Sequence, residues 1–156
     1  MTAKCDPIFK MLRKHNFGEW DEECQEAFDK VKEYLTNPPV LVPPIQRKPL
    51  ILYLTVHERS MGCVLGQHDK TRRKEQAIYY LSKKFTDYES RYSPLEKMCC
   101  ALAWTAQRLI QYMLYHTTWL IAKLDPIKFI VEKPSFSGRI TRWQVLLSEF
   151  DILYVS

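Results

Sequence analysis

The sequence predicts a mixed α/β domain in which helices pack against a five-stranded sheet. An apolar run at residues 50–56 is too short to span a membrane and rich in strand formers, and a second apolar segment at 61–67 follows it after a polar cluster. A complete helix start at Ser93 precedes a long amphipathic stretch. Short apolar runs and helical periodicity then alternate to the end of the chain, as expected for a sheet covered by helices.

Composition is that of one folded domain of 156 residues, with 46% hydrophobic residues and a net charge of +5. The five cysteines show no metal-binding spacing, which favours buried free thiols in a reducing compartment. The sequence contains no apolar stretch long enough to cross a bilayer and no secretory signal. We therefore expect an intracellular protein, cytoplasmic or nuclear, without a targeting signal or a membrane partner. The mildly basic surface fits weak nucleic-acid contact as well as simple solvation.

A helical tail is predicted before the sheet. Residues 7–14 form one or two turns, and Asp21 caps a second helix that a proline pair stops. The proline-rich link at residues 38–49 separates this tail from the sheet. We place the domain boundary within it, so that residues 1–45 form the tail and residues 46–156 the α/β domain.

The second strand carries Gly62 and Gly66, which allow a bulge or the close approach of a neighbouring backbone. A charged loop separates it from a third strand at residues 77–81. Three antiparallel strands are therefore expected before the first helix of the domain.

Ser93, Pro94 and Glu96 give the next helix a cap, a proline at the first helical position and the glutamate of a capping box. Its apolar face continues to Met113, so the helix should pack on the sheet. The remaining predicted elements are a fourth strand at residues 117–123, a short helix at 126–131, a last helix at 139–150 and a fifth strand at 152–155.

Several motifs resemble a known family. Residues 20–28 and 35–41 resemble the end of the polymerase part of gypsy-type long-terminal-repeat retrotransposon reverse transcriptases. The motifs that resemble the ribonuclease H domain joined to those polymerases are PLIL (49–52), MGCVL (61–65), AIYY (77–80), SKK (82–84), ALAW (101–104), DPIK (125–128) and SEFD (148–151). The resemblance implies a ribonuclease H-like mixed sheet with flanking helices, C-terminally truncated, after a short polymerase tail.

In that family, acidic residues hold two Mg²⁺ or Mn²⁺ ions, because such ions need hard oxygen ligands. By this resemblance Thr55 stands where the first aspartate belongs, Lys123 falls at the second, and the last lies beyond the end of the chain; Glu96 is retained. An ammonium about 4 Å from a divalent ion is repelled by up to about 8 kcal/mol at an effective dielectric of about 20. We therefore expect no bound cofactor and an inactive, plant-type degenerate site, in which Glu96 serves mainly to cap its helix.

The resemblance further implies a scaffold that weakly contacts an RNA:DNA hybrid or a nucleic-acid backbone, beside the polymerase and a second nuclease of a parent polyprotein. The basic residues that could contact such a backbone are Lys83, Lys84, Arg91, Lys97, Arg139 and Arg142, with Trp143 assigned to the core. Two alternatives stay open. One is an active metal-dependent ribonuclease H of an RNA-directed DNA polymerase polyprotein, and the other is a non-enzymatic remnant or protein-interaction module.

Overall fold

The computed structural model describes residues 22–36, 41–132 and 137–156. The chain divides into two units, Met1–Val40 and Leu41–Ser156. The first unit contains helix α1, Glu22–Thr36, in which Cys24 and Ala27 are buried. The predicted helix at residues 7–14, the Asp21 cap and the proline stop lie outside the described residues. The assignment of residues 1–45 to a polymerase tail stays a prediction.

The second unit contains a mixed five-stranded sheet, which confirms the predicted fold class. Its strands are β1 (Leu50–Val56), β2 (Ser60–His68), β3 (Glu75–Lys84), β4 (Thr118–Ala122) and β5 (Ile152–Tyr154), in the spatial order β3-β2-β1-β4-β5. The pairs β1–β2 and β2–β3 are antiparallel, and the pairs β1–β4 and β4–β5 are parallel. A short 3-10 helix, Glu89–Arg91, lies between β3 and the first helix of the unit.

Strand β1 is the middle strand of the sheet and pairs with β2 along one edge and with β4 along the other. Leu50, Leu52 and Leu54 point to one face and are buried in the main core. Alternate residues of a strand face opposite sides, so Tyr53 and Thr55 point to the other face. On that other face Tyr80, Trp119, Ile121 and Leu153 remain partly exposed.

Helix α2, Pro94–Arg108, covers the core face of the sheet. Ser93 Oγ accepts a hydrogen bond from the Glu96 amide at 3.2 Å, and the Glu96 carboxylate accepts one from the Ser93 amide at 3.1 Å, so the predicted capping box is present. The predicted continuation to Met113 is wrong. The helix ends at Arg108, and Leu109 separates it from α3, Ile110–Met113. No glycine or proline marks this break; Leu109 and Met113 are both buried in the core, so packing rather than a local signal positions them.

Two further helices, α4 (Pro126–Glu132) and α5 (Gly138–Ser148), lie between β4 and β5 in sequence and contact α2. The bounds of the elements agree with the predicted ones within three residues, except at the break after α2. Within the described part of the chain, no helix has the length and apolar character needed to cross a bilayer.

The bulge or close backbone approach that the two glycines of β2 predict occurs at only one of them. The register of β2 and β3 shifts between Leu65 and Gly66, which marks a bulge, and a Cβ on Gly66 would lie 3.1 Å from the carbonyl oxygen of Gln76. At Gly62 the nearest atom would be 3.7 Å away, an ordinary contact. The backbones therefore approach closely at Gly66 and not at Gly62.

The core between α2 and β1 should dominate stability. Leu102 is fully buried there, so Leu102→Ala should lower the free energy of unfolding by about 2–5 kcal/mol through lost burial and the cavity left behind. Leu153→Ala on the exposed face is the matched control and should cost less than about 1 kcal/mol. Urea unfolding followed by circular dichroism measures both. Equal losses in the two variants would contradict this location of the core.

Candidate functional site

The C-terminal end of β1 carries the first predicted catalytic position. Thr55 is exposed there, and its hydroxyl donates to the Gly62 carbonyl oxygen at 3.5 Å, which is a long hydrogen bond. The parallel ladder of β1 and β4 ends at the pair Leu54–Ala122, and Lys123 is the first residue after β4, at the same end of the sheet as Thr55. Lys123 is exposed and has no ion pair within the described part of the chain. This strand end thus presents a neutral hydroxyl and an ammonium group.

Glu96 is held on both sides. One carboxylate oxygen accepts the Ser93 amide, and the other accepts Nη2 of Arg139 at 3.1 Å. The Arg139 guanidinium also stacks on the Tyr92 ring, 4.2 Å from its centroid, and Trp143 meets Tyr92 edge-on. The charge of Glu96 is therefore balanced by a protein cation that aromatic side chains hold in place.

The sequence prediction missed Asp125 as the carboxylate at the junction of β4 and α4. Its Oδ1 accepts the Lys128 amide at 3.0 Å, so it caps α4. The pKa of the nearby Cys99 thiol is raised to about 12, mainly by burial and in smaller part by the charges of Glu96 and Asp125. Asp125 and Glu96 therefore both lie near Cys99. The Asp-Pro pair was the available signal, because a cap residue followed by proline is typical of a helix start.

The residues present do not fit the metal pair that the fold family implies. Thr55 offers a neutral oxygen, both oxygens of Glu96 are engaged, and Asp125 caps a helix. The Arg139 guanidinium occupies the position of a counter-ion to Glu96. In residues 22–36, 41–132 and 137–156, no three His, Cys, Asp or Glu side chains form a group that could hold a metal ion.

Three of the six basic candidates make internal contacts. Lys83 Nζ is 2.9 Å from a Glu89 carboxylate oxygen, and Arg139 pairs with Glu96. Lys97 is only 8% exposed, and its ammonium donates to the Glu58 carbonyl oxygen at 2.8 Å. The expectation of a free surface lysine at position 97 is therefore corrected, because this side chain ties α2 to the turn between β1 and β2.

The other three, Lys84, Arg91 and Arg142, are exposed and have no ion pair among the described residues. Arg91 and Arg142 each adjoin an aromatic residue of one contacting pair, whereas Lys84 points to the opposite face of the sheet from Lys83, because successive strand side chains alternate. Tyr92, next to Arg91, contacts the ring of Trp143, next to Arg142, and the Lys83–Glu89 pair joins the end of β3 to the same 3-10 helix. Trp143 is half-buried against the core, as predicted.

The sheet order and its helices define a ribonuclease H-like fold. The family model described as "RNase H-like domain found in reverse transcriptase" matches residues 20–120. The chain belongs to this family, whose members occur in retrotransposon polyproteins.

Curated relatives are polyproteins of transposable elements. The chain is 26% identical over 125 residues to the retrovirus-related Pol polyprotein from transposon 297 of Drosophila melanogaster, covering 80% of this chain and 11% of that protein. It is 27% identical over 146 residues to the Pol polyprotein from transposon 412 of the same species, covering 92% and 12%. The Tf2-3 polyprotein of Schizosaccharomyces pombe is 26% identical over 157 residues, covering 93% and 11%. The chain thus spans about a tenth of the length of these relatives.

Solved structures share the fold. The native prototype foamy virus protease-reverse transcriptase matches 100% of this chain and 22% of its own, with a TM-score of 0.68 and 15% identity. A foamy viral protease-reverse transcriptase in complex with an RNA/DNA hybrid matches 99% and 21%, with a TM-score of 0.57 and 18% identity. At this level of identity the likeness shows the fold alone.

The contacts of Glu96 predict a mainly structural role. Glu96→Ala removes the second half of the capping box and the pair with Arg139, so it should lower the free energy of unfolding by about 1–2 kcal/mol. Glu96→Gln keeps an acceptor for the Ser93 amide and should cost less than half as much. Thermal unfolding by circular dichroism measures both, with Glu149→Ala at the exposed end of α5 as control. An equal cost for the Ala and Gln variants would contradict the capping role.

Proposed function

We propose that this chain is a catalytically inactive ribonuclease H-like domain of a gypsy-type reverse transcriptase, with a plant-type degenerate site. It serves as an intracellular scaffold that contacts a nucleic-acid duplex. The observation that carries the proposal is the pairing of Glu96 with Arg139 beside a β1 strand that offers Thr55 in place of a carboxylate.

Hydrolysis by two metals requires several carboxylates that face the same point in space. Here Arg139 neutralises the carboxylate of Glu96, and Lys123 adds a positive charge directly after β4, at the end of the sheet where Thr55 lies. Removing Arg139 alone would leave Glu96 bound to the Ser93 amide. The proposed inactivity therefore results from several side chains and not from one substitution.

Duplex contact is supported by three exposed cations, Lys84, Arg91 and Arg142, whose charges are not balanced by an ion pair among the described residues. Such cations contact phosphate oxygens and position a duplex without reading its sequence. Foamy viral relatives of the same fold were solved with double-stranded DNA and with an RNA/DNA hybrid. Weak backbone binding is the activity that this surface can support.

The partners within a longer protein are also part of the proposal. The curated relatives are polyproteins about ten times as long as the matched region. A domain of this kind would lie between a polymerase and a second, active nuclease. In that place it would need rigidity and a basic surface but no cleavage chemistry.

A cleavage assay tests inactivity. The purified chain is incubated with a labelled RNA:DNA hybrid in the presence of Mg²⁺ or Mn²⁺, and in parallel with a chelator. We expect no metal-dependent cleavage of the RNA strand by the wild type or by Thr55→Asp, because Arg139 still holds Glu96. Metal-dependent cleavage that disappears in Glu96→Gln would show an active ribonuclease H and overturn the proposal.

Salt dependence tests duplex contact. The triple variant Lys84→Ala, Arg91→Ala and Arg142→Ala should bind the hybrid more weakly. The slope of log affinity against log salt should fall by about 2.7, since each phosphate contact contributes about 0.9. Lys70→Ala with Lys128→Ala is the control, since it removes two exposed charges elsewhere; Lys70 lies in the loop before β3, at the opposite end of that strand from Lys84. Fluorescence anisotropy from about 50 to 200 mM salt gives the slopes, and an unchanged slope in the triple variant would contradict duplex contact at this surface.

A further inference from the structure

A second basic site lies at the opposite end of β1. A cavity of about 450 Å³ is lined by Arg47, Lys48, Pro49, Gln67, His68, Arg72 and Trp119. A neighbouring cavity of about 380 Å³ shares Arg47, Lys48, Pro49 and Trp119 and adds Tyr115, His116 and Thr117. At about 3.3 Å per strand residue, Pro49 and Thr55 are about 20 Å apart. The sequence-predicted site and this cavity are therefore separate.

Three of the residues that line the cavity are cations without an ion pair among the described residues. Arg47 and Arg72 are exposed, and neither side chain has a hydrogen bond or an ion pair among the described residues. The Lys48 ammonium donates to a neutral carbonyl oxygen, that of Asp69, at 2.9 Å. The carboxylates of this region accept hydrogen bonds from neutral groups: Asp69 from the Thr71 hydroxyl and loop amides, Asp151 from the Thr117 hydroxyl, and Glu75 from the Tyr53 hydroxyl. The cations are available for an external anion.

The shape of the cavity is fixed by Gln67, which is 3% exposed. Its amide oxygen accepts the Ile45 amide at 2.7 Å, and its nitrogen donates to the carbonyl oxygens of Ile45 and Lys48 at 2.9 and 3.0 Å. These bonds hold the turn in which Arg47 has a φ of 62°, and Arg72 on the facing loop has a φ of 58°. Left-handed backbone disfavours arginine relative to glycine, so both positions keep a charged side chain at a conformational cost.

Two further groups can contact a nucleotide. His68 Nδ1 is buried without a hydrogen-bond partner in the described structure, so the cavity wall contains an unused polar atom. Trp119 is 38% exposed and lines both cavities. An exposed indole beside a basic pocket is the arrangement by which proteins bind single strands, since unpaired bases stack on aromatic rings while cations hold the phosphates.

We propose that this cavity binds a single-stranded nucleic acid, with phosphate groups at Arg47, Lys48 and Arg72 and an unpaired base on Trp119. A duplex is disfavoured because its bases are stacked inside and cannot reach the indole. The site is separate from the duplex-contacting surface proposed above and rests on different residues, so either can fail without the other.

The test uses the full 156-residue chain and a fluorescein-labelled oligothymidylate, with anisotropy as the readout. Arg47→Gly with Arg72→Gly removes both charges at positions where glycine relieves the backbone, so the melting temperature should stay the same or rise. Affinity should fall by roughly tenfold or more at about 100 mM salt, and the salt slope should fall by about 1.4, at about 0.7 per contact on a single strand. Arg59→Ala with Lys128→Ala, which removes two charges elsewhere, should change affinity less than about twofold.

Trp119→Leu tests the base contact and should lower affinity by about fivefold or more while leaving the salt slope unchanged. Unchanged oligonucleotide binding in Arg47→Gly with Arg72→Gly would overturn the proposal. Competition separates the possible sources of anion. Displacement by equal concentrations of adenosine monophosphate would indicate a free-nucleotide site, and equal displacement by polyglutamate would indicate a general polyanion site. Either result would overturn binding of a strand.

Discussion

Strand β1 constrains everything else in this domain, because β2 and β4 pair with both of its edges and its leucines are buried under α2. A strand with both edges paired has no free backbone groups along its length. A ligand can therefore form hydrogen bonds to its backbone only beyond its two ends. The two proposed binding surfaces lie toward these opposite ends.

At the C-terminal end of β1, the charges of the side chains determine whether metal ions or phosphates can bind. A cluster of carboxylates repels the phosphates of a nucleic acid unless metal ions lie between them. Here Thr55 is neutral, Lys123 is positive, and Arg139 balances Glu96. With Thr55 neutral and Glu96 balanced, a phosphate meets little repulsion at this end of the sheet, which is the condition that the proposed duplex contact requires.

Local sequence signals predicted the elements that depend on local physics. The capping box at Ser93 and Glu96 identified the start of α2, and the apolar run of β1 identified the central strand. The break at Leu109 was missed because tertiary packing, without glycine or proline, produces it. The burial of Lys97 was missed because its acceptor, the Glu58 carbonyl oxygen, is 39 residues away in sequence. Asp125 carried a recognisable helix-start signal. Alignment of the family pattern on the residues after Asp125 nevertheless assigned the second aspartate position to Lys123.

The cavity at the N-terminal end of β1 could not be predicted from local sequence signals. Like the burial of Lys97, it depends on contacts between residues that are far apart in the chain. Gln67 lies within an apolar strand pattern, and its importance comes from three hydrogen bonds to a turn about 20 residues earlier. A buried amide that lost these partners would leave several polar groups unsatisfied, which is costly in a protein interior. The turn that carries Arg47 is therefore tied to the sheet by these three bonds. Its backbone loses little conformational freedom when Arg47 binds a phosphate, so the entropy cost of binding is mainly that of ordering the arginine side chain itself.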